Sequence, residues 1–139
     1  MITENIIKTL SELVSIQSIS SDTNHKEDVL KSAEYVNELF SSLGLETKIA
    51  TSGNSRPAVL AQTDIDPSKK TVLLYAHHDV QPVGDIDKWK NEPFTPKVID
   101  GRLFGRGSGD NKAGVVVHYE VAKALIDDCL LYTSPSPRD

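Results

Sequence analysis

Leu74-Tyr75-Ala76-His77-His78-Asp79-Val80 is the stretch of this sequence that decides the fold, because an apolar run ends there in three polar residues. The run from Thr71 to His77 predicts a buried strand, and catalytic groups often lie at the end of such a strand. Side chains alternate between the two faces of a strand, so His77 and Asp79 are expected on one side and His78 on the other.

The pair formed by His77 and Asp79 predicts half of a metal site. A neutral imidazole is a good zinc ligand, and it binds best when its second ring nitrogen donates to a carboxylate. Asp79 is therefore either a second ligand or the group that orients the ring. His78, on the opposite face, is expected to be structural or to form a wall for a substrate.

A glycine-rich segment later in the chain provides a further acidic residue. The stretch from Lys97 to Phe104, centred on Asp100-Gly101, predicts a hairpin with a tight turn. Three glycines within residues 105–109 then allow the loop to pass close to a ligand or ion. Asp110 follows at the start of the next predicted helix, where its carboxylate can cap the helix, bind a cation or bridge two metals.

Each residue also has a simpler interpretation. Histidines at strand ends often only form hydrogen bonds, and Asp110 by itself is more typical of a helix cap. A nucleotide-binding loop does not fit, because a dinucleotide fingerprint requires glycine where Asp110 stands. A phosphate-binding loop does not fit either, because it requires glycine directly before Lys112 and serine or threonine directly after it, and neither is present.

Three motifs in the same order resemble the carnosinase, aminoacylase and glutamate-carboxypeptidase-like family of zinc metallopeptidases. They are Tyr75 to Val83, Trp89 with Pro93-Phe94, and Asp100 through Lys112. The similarity is strong over residues 70–126 and looser in the N-terminal helices. The resemblance implies an α/β fold, namely a partial three-layer zinc-peptidase catalytic domain with a mixed β-sheet flanked by helices.

The resemblance also implies a role for each site residue. His77 resembles the ligand of one zinc, Asp79 the catalytic-site carboxylate that orients this imidazole, and Asp110 the carboxylate that bridges two zincs. It implies two Zn²⁺ ions per site in a full-length parent, with Co²⁺ or Mn²⁺ as alternatives. In this family the peptide bond after the bridging aspartate is often cis, which is expected here between Asp110 and Asn111.

The implied activity is hydrolysis of the amide bond of small peptides by a metal-bound water. Gln81 favours the dipeptidase branch over the deacylases of N-acyl amino acids, which remain an alternative together with a non-catalytic binding relative. The family's general-base glutamate, its remaining ligands and its late histidine are not found in the sequence. We therefore expect this chain to be inactive alone, and a full-length parent to form a homodimer through a domain outside it.

The end of the chain interrupts the helical pattern. The motif Ser134-Pro135-Ser136-Pro137 cannot continue a helix, because proline lacks an amide hydrogen and restricts the residue before it. Residues 129–139 resemble a translated sequencing adapter, and a natural disordered tail is the alternative. We expect residues 1–128 to be the N-terminal part of the catalytic domain and residues 129–139 to be a non-native tail.

Composition excludes several classes of partner. The 139 residues contain 15 Lys and Arg against 20 Asp and Glu, and this net charge of −5 argues against nucleic-acid binding. The single cysteine, Cys129, lies in the suspected tail, which is compatible with a reducing compartment. No signal peptide and no apolar stretch long enough for a bilayer are present, so we expect a cytoplasmic protein without membrane contact.

Hydrophobic periodicity predicts the remaining elements. Apolar stripes at helical spacing run from Ile6 to Val14 and from Val29 to Leu43. Asn24 with Glu27 predicts a capping box for the second helix, and Gly44 is placed to end it. Further elements are predicted as strands over 45–50 and 58–63 and a third helix over 113–127. His118 on this helix is expected to have a packing or surface role rather than a catalytic one. Core packing is expected for Trp89 and Phe94, with a substrate wall as the alternative.

Overall fold

The helices predicted from the apolar stripes form the core of the protein. A computed structural model describes residues 2–53 and 56–127, and its helices are α1 (Ile2–Ser15), α2 (Lys26–Ser41) and α3 (Lys112–Asp127). Helix α1 packs against α3, and α2 lies beside β1 and β2, defined below. The buried side chains at the centre are Leu13, Ile16, Val36, Val115 and Val116. All three predicted helices are therefore confirmed.

The strands form two small antiparallel sheets. Strand β1 (Glu46–Ala50) pairs with β2 (Ala58–Gln62), with Glu46 opposite Gln62. Strand β3 (Lys97–Ile99) pairs with β4 (Arg102–Phe104). Asp100 and Gly101 between them have φ angles of 50° and 73°, as a tight hairpin turn requires. The α/β class and the predicted hairpin are confirmed.

The strand predicted over 71–77 is not formed among the described residues. Val72, Leu73 and Tyr75 are 78%, 88% and 79% exposed. A strand requires a neighbour to satisfy its backbone groups, and no described strand lies beside this one. The segment leads into one parallel bridge, between Val80 and Ile19. The expected mixed sheet is thus represented here by two antiparallel pairs and one parallel bridge.

The start of α2 differs from the predicted capping box. A short 3₁₀ turn (Thr23–His25) precedes the helix, and the carboxylate of Asp22 accepts from the Asn24 amide at 2.9 Å. His25 is the N-cap residue, and its side chain makes no capping bond. The extra turn moves the capping side chain upstream of the predicted position. The end of α2 agrees with prediction, because Gly44 follows it with a φ of 80°.

The expected lack of membrane contact depends on the length and apolar character of the helices. Among the helices of the described residues, none is long and apolar enough to cross a membrane. The suspected tail at residues 129–139 lies outside the described residues.

Candidate metal centre

His77 lies between two aspartates that approach its ring from opposite sides. Its Nδ1 is 3.2 Å from Oδ1 of Asp79 and 3.1 Å from the Asp79 carbonyl oxygen. Its Nε2 is 3.1 Å from Oδ1 of Asp110, which is 33 positions further along the chain. The structure therefore brings together all three site residues that the sequence predicted.

The pKa of His77 is set by competing effects. Partial burial lowers it, but the hydrogen bonds to the Asp79 carbonyl and the Asp110 carboxylate, with the charges of both aspartates, outweigh burial. The net result is a pKa above the ordinary value of histidine. Because a metal ligand must be a neutral imidazole, binding of a metal at His77 competes with binding of a proton.

Asp110 is held at the junction between the glycine-rich loop and α3. The peptide bond from Asp110 to Asn111 is cis, as the family resemblance implied. The Asp110 side chain is 92% exposed, so its second oxygen is open to solvent. Gly107 in the preceding loop has a φ of 90°, and a Cβ atom there would lie 2.8 Å from a methyl of Val80. Only glycine fits this approach without displacement.

His78 points away from the other site residues, as the alternation of side chains predicted. Its Nδ1 is 3.2 Å from Oγ of Ser32, and its Nε2 is 3.2 Å from the carbonyl oxygen of Pro57. Burial lowers the pKa of His78, and the hydrogen bond to Pro57 opposes this only in part. The Pro57 carbonyl can only accept, so Nε2 carries a ring proton, and His78 connects the residue before β2 to α2.

The backbone beneath His77 is fixed by residues that the sequence did not single out. The hydroxyls of Ser18 and Ser32 donate to the carbonyl oxygen of His78 at 2.8 and 3.2 Å. Lys112 is fully buried, and its ammonium donates to the carbonyl oxygens of Leu13 and Ile16. Lys112 ends the third motif of the family resemblance, whereas the two serines gave no signal in the sequence.

Burial also alters the basicity of Lys112. Desolvation lowers its pKa to about 7, although the negative charges of Asp79 and Asp28 act in the opposite direction. The side chain has no exposed surface, and its ammonium is directed to the Leu13 and Ile16 carbonyls.

The loop after Val80 is held by contacts of Trp89 and Arg106. The guanidinium of Arg106 lies 5.0 Å from the ring centre of Trp89 and donates to the Pro82 carbonyl at 3.0 Å. The indole of Trp89 donates to the Val83 carbonyl at 2.9 Å. Both Trp89 and Phe94 are half-buried, in agreement with a packing role.

The donor set fits part of a metal site. His77 and Asp110 face each other with an imidazole nitrogen and a carboxylate, while Asp79 lies on the other ring nitrogen. Over residues 2–53 and 56–127, no group of three or more His, Cys, Asp or Glu side chains is arranged to hold a metal ion. A catalytic zinc usually has three protein ligands and a water, so these residues supply only a portion of such a site.

The sequence matches the model of Peptidase family M20/M25/M40 over residues 73–131. The chain is 38% identical over 123 residues to the Cys-Gly metallodipeptidase dug1 of Schizosaccharomyces pombe, covering 81% of this chain and 26% of that protein. Its fold is similar to that of human carnosine dipeptidase 1, with a TM-score of 0.81, 28% identity, and coverage of 89% of this chain and 28% of that one.

A third similarity is to the M20 family metallo-carboxypeptidase Sso-CP2 of Sulfolobus solfataricus, with a TM-score of 0.80 and 32% identity. That match covers 89% of this chain and 28% of the other. The predicted resemblance is confirmed, because this chain is similar to the M20 metallopeptidases and, among them, to dipeptidases. It spans about a quarter of the length of the curated relatives that it matches.

Proposed function

We propose that residues 1–128 are the N-terminal part of the catalytic domain of a zinc-dependent dipeptidase. The observation that carries this proposal is the approach of His77 Nε2 to Asp110 Oδ1 at 3.1 Å, with Asp79 on the other ring nitrogen. The names of the relatives support the reaction class, because they include a Cys-Gly metallodipeptidase and a carnosine dipeptidase.

In this proposal His77 would hold one zinc, and the Asp110 carboxylate would be shared between two zincs. Asp79 orients the His77 ring and fixes the tautomer that leaves Nε2 free for a metal. The open second oxygen of Asp110 supports the bridging role, because its side chain is 92% exposed. Zinc lowers the pKa of water to about 7 and polarises a carbonyl group, and Co²⁺ or Mn²⁺ could replace it.

The chain alone is proposed to be inactive. His77 and Asp110 are two ligands where a catalytic zinc usually has three, and no group of three or more His, Cys, Asp or Glu side chains among the described residues is arranged to hold a metal ion. The shortness of the chain relative to its relatives supports the view that a parent protein supplies the remaining ligands. We assign residues 129–139 to a non-native tail, and we propose a cytoplasmic homodimer for the parent.

The substrate of the parent is proposed to be a small peptide. A deacylase of N-acyl amino acids is the second candidate, since the same donor set would serve any amide. A non-catalytic relative that kept the fold is the third, and the assembled triad of His77, Asp79 and Asp110 argues against it.

The test is to recover the genomic reading frame past Asp128, express the full-length parent and measure hydrolysis of dipeptides and N-acyl amino acids. The enzyme is stripped of metal and then reloaded with Zn²⁺, Co²⁺ or Mn²⁺. Hydrolysis of dipeptides that depends on metal supports the proposal, and preference for N-acyl amino acids assigns a deacylase. No hydrolysis with any metal assigns a non-catalytic relative.

The 139-residue chain is the control in the same assay. We expect no hydrolysis above background from it. Cleavage of dipeptides by this chain, together with tight zinc binding, would show that the proposed division of the site between two parts of a parent is wrong.

A further inference from the structure

Three polar side chains of the described residues are fully buried, and all three lie beneath the candidate metal centre. Ser18, Ser32 and Lys112 each have 0% exposed surface. Burying a hydroxyl or an ammonium costs free energy unless hydrogen bonds replace those lost to water. Each of the three donates to backbone carbonyl oxygens, so the cost is offset where these bonds form.

The two serines hold the segment that carries His77 and Asp79. Both hydroxyls converge on the carbonyl oxygen of His78, the residue between them. Two backbone bonds continue the attachment, since the Val80 amide donates to the Ser18 carbonyl at 2.9 Å and the Ser20 amide to the Val80 carbonyl at 3.3 Å. The carbonyl of His78 therefore cannot rotate without breaking two buried hydrogen bonds.

Lys112 holds the segment that carries Asp110. Its ammonium donates to the carbonyl oxygens of Leu13 and Ile16 at 2.8 and 2.7 Å. These carbonyls lie at the C-terminal end of α1, where the helix dipole favours a positive charge. Its own amide donates to the Gly107 carbonyl at 3.0 Å, and its aliphatic stem lies against Gly107.

Both attachments meet at one place in the fold. Ser18 follows the end of α1, and the two carbonyls that accept from Lys112 belong to its last residues and the turn after it. The segments around His77 and Asp110 are otherwise separated by 33 positions of sequence. Residues 13–18 thus contact both the segment that carries His77 and the segment that carries Asp110.

We propose that Ser18, Ser32 and Lys112 are positioning residues that set the distance between His77 and Asp110 before any metal binds. They act through the backbone, because none of the three touches the imidazole of His77 or the carboxylate of Asp110 in the contacts described above. What the pair is used for rests on the proposed function. The arrangement of His77 and Asp110 in the metal-free chain does not depend on the proposed function.

The test measures the contact between His77 and Asp110 directly, without metal. The imidazole ¹⁵N and ¹H signals of His77 are recorded at one fixed pH in the metal-free 139-residue chain, and they are assigned by their loss in H77Q. The variant D110N defines the signals of a ring without its carboxylate partner. We expect K112M, S18A and S32A each to move the His77 signals toward those of D110N.

A matched control separates positioning from loss of stability. Val116 is in the same core and makes no polar contact, so V116A loosens packing while it leaves the three attachments intact. Urea unfolding ranks all variants by stability. We expect V116A to keep the His77 signals of the unmodified chain even where its loss of stability equals that of the serine variants.

The proposal is wrong if K112M and both serine variants keep the original His77 signals while the chain stays folded. The serine variants guard against the case in which K112M does not fold, because each of them removes one hydroxyl and leaves the other on the His78 carbonyl. This readout needs neither metal nor turnover. A parent without peptidase activity would therefore refute the proposed function and leave this result unaffected.

Discussion

The two halves of the segment from Thr71 to Val80 have opposite environments. In the first half, Val72, Leu73 and Tyr75 are at least 78% exposed. In the second half, Ala76 packs against the core and Val80 is 3% exposed, with a bridge to Ile19. The boundary between the halves falls between Tyr75 and Ala76.

The difference shows what fixes a segment of this kind. The first half has the composition of a strand, but no described neighbour pairs with its backbone. The second half is attached by hydrogen bonds. Two serine hydroxyls donate to the His78 carbonyl, and Val80 forms backbone hydrogen bonds with residues 18–20. The site is therefore ordered even though the strand leading into it is not paired.

The largest effect is expected from Asp110, which contacts His77 on the ordered half. In the full-length parent, D110N should lower kcat/KM on the order of 1,000-fold, because a metal contributes several kcal/mol to stabilisation of the transition state. Steady-state assays with Zn²⁺ measure this. Asp64 is exposed, and D64N is the matched control that should leave kcat/KM unchanged. If D110N and D64N lowered kcat/KM equally, the assignment of Asp110 to the site would be wrong.

A smaller effect is expected from the glycine loop that faces the ordered half. In the 139-residue chain, G107A should lower the free energy of unfolding by about 2–4 kcal/mol, from a strained backbone angle and overpacking against Val80. Gly109 has open space around its Cα, so G109A should change stability by less than about 1 kcal/mol. Urea unfolding compares the two variants, and equal stabilities would contradict the close approach at Gly107.

The ionisation of His77 reports on its two carboxylate neighbours. Because folding raises the pKa of His77, its protonated ring stabilises the metal-free fold. This contribution to the free energy of unfolding is complete below the pKa that His77 has in the unfolded chain. It is lost as the pH rises through the higher pKa that His77 has in the folded chain. D110N should lower the pKa of His77 and weaken this dependence, as measured by NMR titration of the ring C–H proton.

The control for this titration is D64N, which should leave the pKa of His77 where it is in the unmodified chain. An unchanged pKa in D110N would mean that the Asp110 carboxylate does not interact with the ring in solution.

The smallest effect on stability is expected on the exposed half of the segment. In the 139-residue chain, L73K should change the free energy of unfolding by less than about 0.5 kcal/mol, because Leu73 is 88% exposed. The same variant should reduce self-association measured by sedimentation velocity, since exposed apolar patches promote it. T71K adds the same charge without removing apolar surface and should reduce self-association less. A strongly destabilised L73K would show that Leu73 is packed in solution.

Much of the fold could be predicted because the signals are local. Helical periodicity located α1, α2 and α3, and Asp100-Gly101 located the β3–β4 turn. The strand over 71–77 was predicted from composition, but its formation depends on a partner strand, which composition does not specify. The capping box failed for a related reason, because a 3₁₀ turn moved the cap to Asp22.

The candidate site also contains residues that the sequence could predict and residues that it could not. His77, Asp79 and Asp110 were identifiable from residue type and motif order, since few side chains provide ligands for zinc. Ser18, Ser32 and Lys112 were not, because serines and lysines are usually exposed and only burial reveals these as unusual.

The sequence by itself determined the helices, the hairpin, the chemistry of the three site residues and the family resemblance, since these depend on short-range periodicity and on motif identity. Only the tertiary structure decided that His77 meets Asp110, that His78 turns toward Ser32 and Pro57, and that Lys112 is buried against the end of α1. These contacts join residues between 21 and 99 positions apart. Their formation depends on the packing of the whole core, which no local pattern specifies.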